Sequence, residues 1–362
     1  MTQDLTTAPS PSLPPSLRPH AALAAAALAA ALSAACVAEP GTDEALPPPD
    51  SLAETEQGLS MSAWSGATQV SSGVWYAQVA TVGNTTYMVH SGTGNQLSLR
   101  TMVGSSWTVP VAISGQTSSK RVSLAAFNGY LYMIRTDVSV TTKLWLSRYS
   151  PATGQWTTSY QLSQPSAYGP PAMVAFNNRL YLIGVTPSSN KLWMASMDSS
   201  ETLSVATPME GHYSAARVSA TVFACKLYIA HRAGTTNTVV YNSFNGSAWG
   251  ADRTIPAGPS GAAIVATEPV IAARSGYLHL LRRDISGTDV PVWWTYFNNS
   301  SWSAEVSLGS GVSTTYAPSL TNGGPGLVAV TTTYYNSIAS SLQYTLPLQP
   351  YPLLCGGIIT PL

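Results

Sequence analysis

A short apolar strand, usually with a ring-bearing residue at its centre, recurs six times along this chain: Thr86-Tyr87-Met88, Leu131-Tyr132-Met133, Leu180-Tyr181-Leu182, Leu227-Tyr228-Ile229, Leu278-His279-Leu280 and Leu327-Val328-Ala329. Counted between central residues, the spacings are 45, 49, 47, 51 and 49. A period in this range marks an architecture of repeated units, each too small to bury its own apolar faces.

Two further series run in step with the first. A turn followed by tryptophan appears as Gly104-Ser105-Ser106-Trp107, Gly154-Gln155-Trp156, Gly246-Ser247-Ala248-Trp249 and Asn299-Ser300-Ser301-Trp302. Between the two lies a third strand, seen in Leu144-Trp145-Leu146, Leu192-Trp193-Met194, Val240-Tyr241-Asn242 and Trp293-Trp294-Thr295. Ahead of the central strands sit others that end in Asn128-Gly129 or Asn177-Asn178, residues suited to a tight hairpin turn. Each repeat therefore predicts four short antiparallel strands, the size of one propeller blade. The chain ends argue for a ring rather than a solenoid. The first tryptophan strand, around Trp64, has no repeat in front of it, and the last repeat, ending in Tyr344 and Leu346, lacks a tryptophan strand. Joining the two removes both exposed edges. The expected fold is all-β, a six-bladed β-propeller of four-stranded antiparallel blades over residues 59–346, closed by the N-terminal strand.

The composition fits that fold, because only 9% of residues are charged. Residues 1–36 read as a signal peptide: Arg18 and His20 precede an apolar run from Ala21 to Ala35 that is too short to span a bilayer comfortably. Ser33-Ala34-Ala35-Cys36 has a lipobox-like end, with Cys36 as the lipidation candidate and ordinary secretory cleavage after Ala35 or Ala38 as the alternative. Residues 37–58 carry six acidic side chains, no Lys or Arg, and Pro47-Pro48-Pro49, the mark of a disordered linker. Residues 347–362 form a C-terminal tail that fits no blade. The expectation is an extracytoplasmic protein, secreted or held at the surface, whose membrane contact is limited to an N-terminal lipid. The positive charge after Leu59 is mild and scattered, so nucleic acid is not implied. Cys225 and Cys355 are left either to pair in an oxidising compartment or to remain unrelated thiols.

The pattern Phe-Asn-Gly/Asn-x-Leu-Tyr, then Leu-Trp-x-Ser, then Gly-x-x-Trp resembles the repeats of the fucose-binding lectin family and other bacterial lectin-like propellers, over nearly all of residues 59–346. The resemblance implies ligand pockets between neighbouring blades. Each is built from an Arg at the end of the second strand, an acidic residue on the third, and an aromatic that stacks on the sugar. Three residues beyond each central residue stand His90, Arg135, Gly184, His231, Arg282 and Thr331, with Arg232 and Arg283 one further. Carried over repeat by repeat, the resemblance implies sites at Arg135 with Trp145, Arg232 with Tyr241, and Arg282 with Trp294. The family's acidic partner is missing from every repeat; Asp137 and Asp284 are the candidates to replace it. For the third-strand rings, sheet-to-sheet packing is the competing explanation.

Catalysis has few visible carriers. Ser150-Pro151-Ala152-Thr153-Gly154-Gln155-Trp156 has the outline of a sialidase Asp-box turn without its Asp. Nine carboxylates follow Leu59, of which Glu268, at the start of an innermost strand, is expected to face the channel. Glycoside hydrolysis asks for two facing acids. No nucleophile elbow, metal-binding cluster or phosphate loop is present. The expectation is a binding protein rather than an enzyme, with no catalytic residue, metal or cofactor. Its partner is expected to be a glycan or, alternatively, a surface protein.

Overall fold

The computed structural model describes residues 64–140, 143–164, 166–234, 236, 238–256, 268–283, 290–309, 312–323, 326–333 and 339–345. The segment read as a signal peptide, with Cys36, the acidic segment after it, the tail with Cys355, and Asp284 all lie outside them.

The described chain is a six-bladed β-propeller. The first strands of the blades are Trp75–Val82, Ser123–Phe127, Ala172–Phe176, Ser219–Phe223, Val270–Arg274 and Ser319–Gly323. Each packs against the first strands of both neighbours, so the six form a closed inner ring. Outward follow the second strands, Thr85–Ser91, Tyr130–Thr136, Arg179–Val185, Lys226–Arg232, Tyr277–Arg283 and Gly326–Thr332. The third strands are Gln96–Val103, Leu144–Ser150, Lys191–Met197, Val239–Phe244, Val290–Phe297 and Ala339–Thr345. Short outer strands such as Gln155–Trp156, Thr207–Tyr213 and Arg253–Thr254 complete the sheets.

The hairpin turns obey their residues. Asn128-Gly129 and Asn177-Asn178 hold φ of 49°, 78°, 46° and 57°, the paired left-handed conformation that matches strand twist and that Asn and Gly tolerate best. The fourth blade makes the same turn with Ala224 and Cys225, at φ 45° and 58°. Cys225 is disulfide-bonded, so it is not a free thiol.

The core is divided into six apolar clusters, each sandwiched between two adjacent blades. Blades two and three meet through Leu144, Leu146, Leu182 and Trp193, and blades five and six through Leu281, Trp294, Leu342 and Tyr344. Both faces of most strands are thereby covered, which is why the strands read as nearly continuous apolar runs.

Closure of the ring follows the sequence expectation. Thr68–Ser71 pairs antiparallel with Ala339–Thr345, matching Thr68 to Ser341 and Gln69 to Ser340, and Trp64 bridges to Tyr344. Ser65 N donates to the Gln343 carbonyl at 2.7 Å. The Trp64 ring lies 4.9 Å from Tyr344 and 6.1 Å, edge-on, from Trp294. Trp64→Ala should therefore lower stability by about 3 to 5 kcal/mol, as removal of a buried aromatic does. Urea unfolding measures this, and a loss below about 1 kcal/mol would show that the N-terminal strand does not close the ring.

Candidate functional site

The residues three beyond the central ones occupy equivalent places at the outer ends of the second strands, and the structure disposes of them in different ways. In the first blade His90 is buried and accepts a hydrogen bond from Arg100 Nε at 3.2 Å; burial pulls its pKa down to about 4 despite a carbonyl contact at Ser91. In the third, Gly184 gives its space to a tryptophan, since a Cβ there would stand 2.3 Å from the Trp193 indole. In the fourth, His231 Nε2 lies 3.4 Å from Asp252, which also contacts His212 Nδ1 at 2.8 Å. In the fifth, Arg282 forms a bidentate pair with Glu305, Nε to Oε1 at 2.7 Å and Nη2 to Oε2 at 2.6 Å, with both side chains buried. Such a fork-to-carboxylate pair leaves the cation satisfied and unavailable.

Asp252 and Glu305 each stand three residues after an outer tryptophan, Trp249 and Trp302. The second blade has Ser159 at that spacing from Trp156. Arg135 consequently meets no carboxylate within ion-pair distance among the described residues. Its Nη1 donates to the Thr117 carbonyl at 3.1 Å, and its Nε is buried with no partner. The guanidinium sits 5.5 Å from the centre of the Trp145 ring, and both side chains are half-exposed. Burial lowers the Arg135 pKa and Asp137 opposes that. Asp137 in turn accepts Trp145 Nε1 on Oδ2 at 3.3 Å. Its other oxygen takes Ser139 Oγ at 2.7 Å and Ser139 N at 2.8 Å. These hydrogen bonds, the Ser139 hydroxyl first, bring the carboxyl down to about 2. Asp137, on the loop after the second strand, thus fixes the indole and does not pair with Arg135.

Arg135 and Trp145 open onto a cleft of about 790 Å³ between the outer strands of the first and second blades. Tyr149 and Trp156, 5.3 Å apart between ring centres, continue the aromatic wall. Thr101, Thr108 and Gln116 face them from the first blade. Ser147 Oγ donates to Gln116 Oε1 at 3.2 Å, which ties the two blades at the cleft floor. The arrangement offers a flat apolar wall, a half-exposed guanidinium and several hydroxyls, a set that can bind a polar ligand having one apolar face.

The other two expected pairs do not come together. Tyr241 lies among Phe297 and Trp302 in the core, with ring centres 5.7 and 5.3 Å away. Arg232 turns toward the axis and donates to the Ala215 carbonyl. Trp294 is 1% exposed, stacked on His279 with Nε1 donating to Nδ1 at 3.2 Å. The ladder explains both corrections: Arg135 is opposite Trp145, but Arg282 is opposite Trp293 and His231 opposite Val240. Tyr241 and Trp294 are therefore one residue out of register with Trp145, and one residue on a strand turns a side chain to the other face. Arg282 lies 5.4 Å from the Trp293 ring, the geometry of Arg135 on Trp145, with Glu305 added.

Fold and cleft together define a six-bladed propeller with, among the described residues, an Arg–Trp cleft open between the first and second blades. No family model and no curated protein matches this chain in sequence. Among solved structures it is similar to AofleA from Arthrobotrys oligospora, at 11% identity, TM-score 0.56, covering 78% of this chain and 87% of that one. It is also similar to the Aleuria aurantia lectin in complex with Fucα1-6GlcNAc, at 11% identity, TM-score 0.53 and coverages of 77% and 99%. A third similar structure is the Trypanosoma rangeli sialidase, at 11% identity and TM-score 0.56, covering 75% of this chain and 55% of that one. At such identity the likeness is one of fold. The sialidase corrects the expectation against an enzyme: catalytic and lectin propellers share this architecture, so the scarcity of carboxylates does not set the chain apart from enzymes.

The contrast between the two arginines is measurable as stability. Arg282→Ala leaves Glu305 buried and unpaired and should cost about 3 to 5 kcal/mol. Arg135→Ala removes only a ring contact and one carbonyl bond and should cost less than about 1 kcal/mol. Equal losses in chemical denaturation would contradict the distinction drawn between them.

Proposed function

We propose that this protein is an exported, glycan-binding propeller whose ligand occupies the cleft between the first and second blades. One observation carries the reading: Arg135 keeps its place over Trp145 while the acid that neutralises its counterpart Arg282 is replaced by Ser159. Sugar hydroxyls hydrogen-bond a guanidinium, and sugar C–H faces lie on indole and phenol rings. The similar propellers include the Aleuria aurantia lectin with its bound Fucα1-6GlcNAc, which supports the ligand class. Export, with Cys36 as the site of lipidation or cleavage nearby, agrees with a disulfide at Cys225, since such bonds persist in oxidising compartments.

A glycan array followed by titration calorimetry tests the proposal. A charge-assisted hydrogen bond is worth about 1.5 to 3 kcal/mol, so Arg135→Ala should weaken binding roughly ten- to hundredfold. Trp145→Ala should lose a similar amount. Binding that survives both changes places the ligand elsewhere, and an array without any binder removes the glycan reading.

A further inference from the structure

The axial channel opens on one side into a second cavity, of about 450 Å³, to which every blade contributes. Among the described residues its wall carries five basic side chains and one carboxylate, Glu268. Two of the five, Arg121 and Arg217, are buried and occupy matching places: each opens an Arg-Val-Ser triplet before the first strand of its blade, Arg121-Val122-Ser123 and Arg217-Val218-Ser219. Arg217 reaches across to the second blade, donating Nη1 to the Arg121 carbonyl at 3.2 Å and Nη2 to the Val122 carbonyl and Ser123 Oγ at 3.2 and 2.9 Å. Arg121 Nη1 donates to the Ala317 and Pro318 carbonyls at 2.6 and 2.9 Å, and Nη2 meets Glu268 at 3.2 Å.

These contacts hold both guanidiniums still; Arg121 meets the Glu268 carboxylate, whereas the acceptors of Arg217 are all uncharged. The Nε atoms of Arg121, Arg217 and Arg232 are buried and have no hydrogen-bond partner. Gly169, at φ 114°, lets the chains of Lys120 and Arg217 pass over its backbone, its missing Cβ lying 3.6 Å from a carbon of each. Burial first, and then the neighbouring Arg121, bring the Arg217 pKa down to about 9 against the pull of Glu268, so the group stays charged at neutral pH in surroundings that disfavour the charge. Tyr76, also lining the cavity, has φ 52° at a break in the ladder between Trp75 and Gln78, and its ring lies 4.6 Å from Tyr316. A non-glycine residue held in that region is costly and tends to mark a site where its direction matters. A cavity of this size, lined by basic and aromatic side chains, has the dimensions of a small-ligand site.

We infer that the axial mouth binds a small oxyanion, a carboxylate or a phosphate ester, seated against Arg217, Arg121, Arg232 and Lys120 with its uncharged part on Tyr76 and Tyr316. Clustered guanidiniums in a partly dry cavity attract such groups and match their oxygens in pairs. This site is separate from the inter-blade cleft and does not depend on the glycan reading.

The test is calorimetric titration of the full chain at low ionic strength with glucuronate, glucose 6-phosphate and glucose. Saturable 1:1 binding of at least one anion, with no binding of glucose, is expected, and the stronger of the two identifies the oxyanion. The anion should raise the melting temperature, because it compensates the buried charge. Arg232→Gln, and independently Lys120→Gln, with folding checked by circular dichroism, should each weaken it at least tenfold. Three results overturn the inference: neither anion binds, glucose binds equally well, or binding is abolished by Arg135→Ala while both axial variants retain it.

Discussion

The antiparallel pairing of Thr68–Ser71 with Ala339–Thr345 is the contact on which the rest depends, because it converts six repeats into a ring. Without it the sixth blade would present an unpaired third strand, and the fifth would lose the cover that Trp64 gives Trp294. An open edge of that kind is a template for association with other chains. The ring also brings distant segments to one axis. Arg217 reaches the second blade, Arg121 reaches the sixth, and Glu268 joins from the fifth. None of these contacts links neighbours in sequence, and each needs the circle closed.

Within the ring, departures from sixfold symmetry generate the chemistry. The outer end of the second strand is a difficult place for a charge, being enclosed between two blades, and most blades solve this locally. The fifth supplies Glu305, the fourth pairs His231 with Asp252, and the third substitutes Gly184 and fills the space with Trp193. The second blade keeps the arginine, omits the acid and leaves room beside it. A site here is a repeat position whose usual neutralising partner has been withheld. At the axis, among the described residues, Glu268 is the one carboxylate beside several guanidiniums, and it pairs with Arg121.

Much of the architecture was legible in the sequence, because spacing and turn chemistry are local. The six central strands, the Asn-Gly and Asn-Asn hairpins and the joining of Trp64 to Tyr344 all follow from residue order and edge satisfaction. The candidate site was legible only in its second-blade part. In the third strand of the fifth blade, Trp293 and Trp294 stand side by side, and a strand covered on both faces shows no alternation from which to choose between them. Register assigns the half-buried ring to Trp293 and buries Trp294 fully. The neutralising acids were missed because they come from the segment leading into the outer strand rather than from the third, although their spacing of three from Trp249 and Trp302 was available. The axial cavity gathers residues from segments between blades, where the repeat is weakest, and its one sequence trace was the Arg-Val-Ser triplet occurring twice.

A crystal structure of the protein with an oligosaccharide selected on the array tests the central claim most directly. The account predicts ligand density in the cleft between the first and second blades, with a sugar hydroxyl within hydrogen-bond distance of Arg135 and a ring face against Trp145, Tyr149 or Trp156. Density at the fourth or fifth blade with this cleft empty would contradict the argument that the missing acid makes the site.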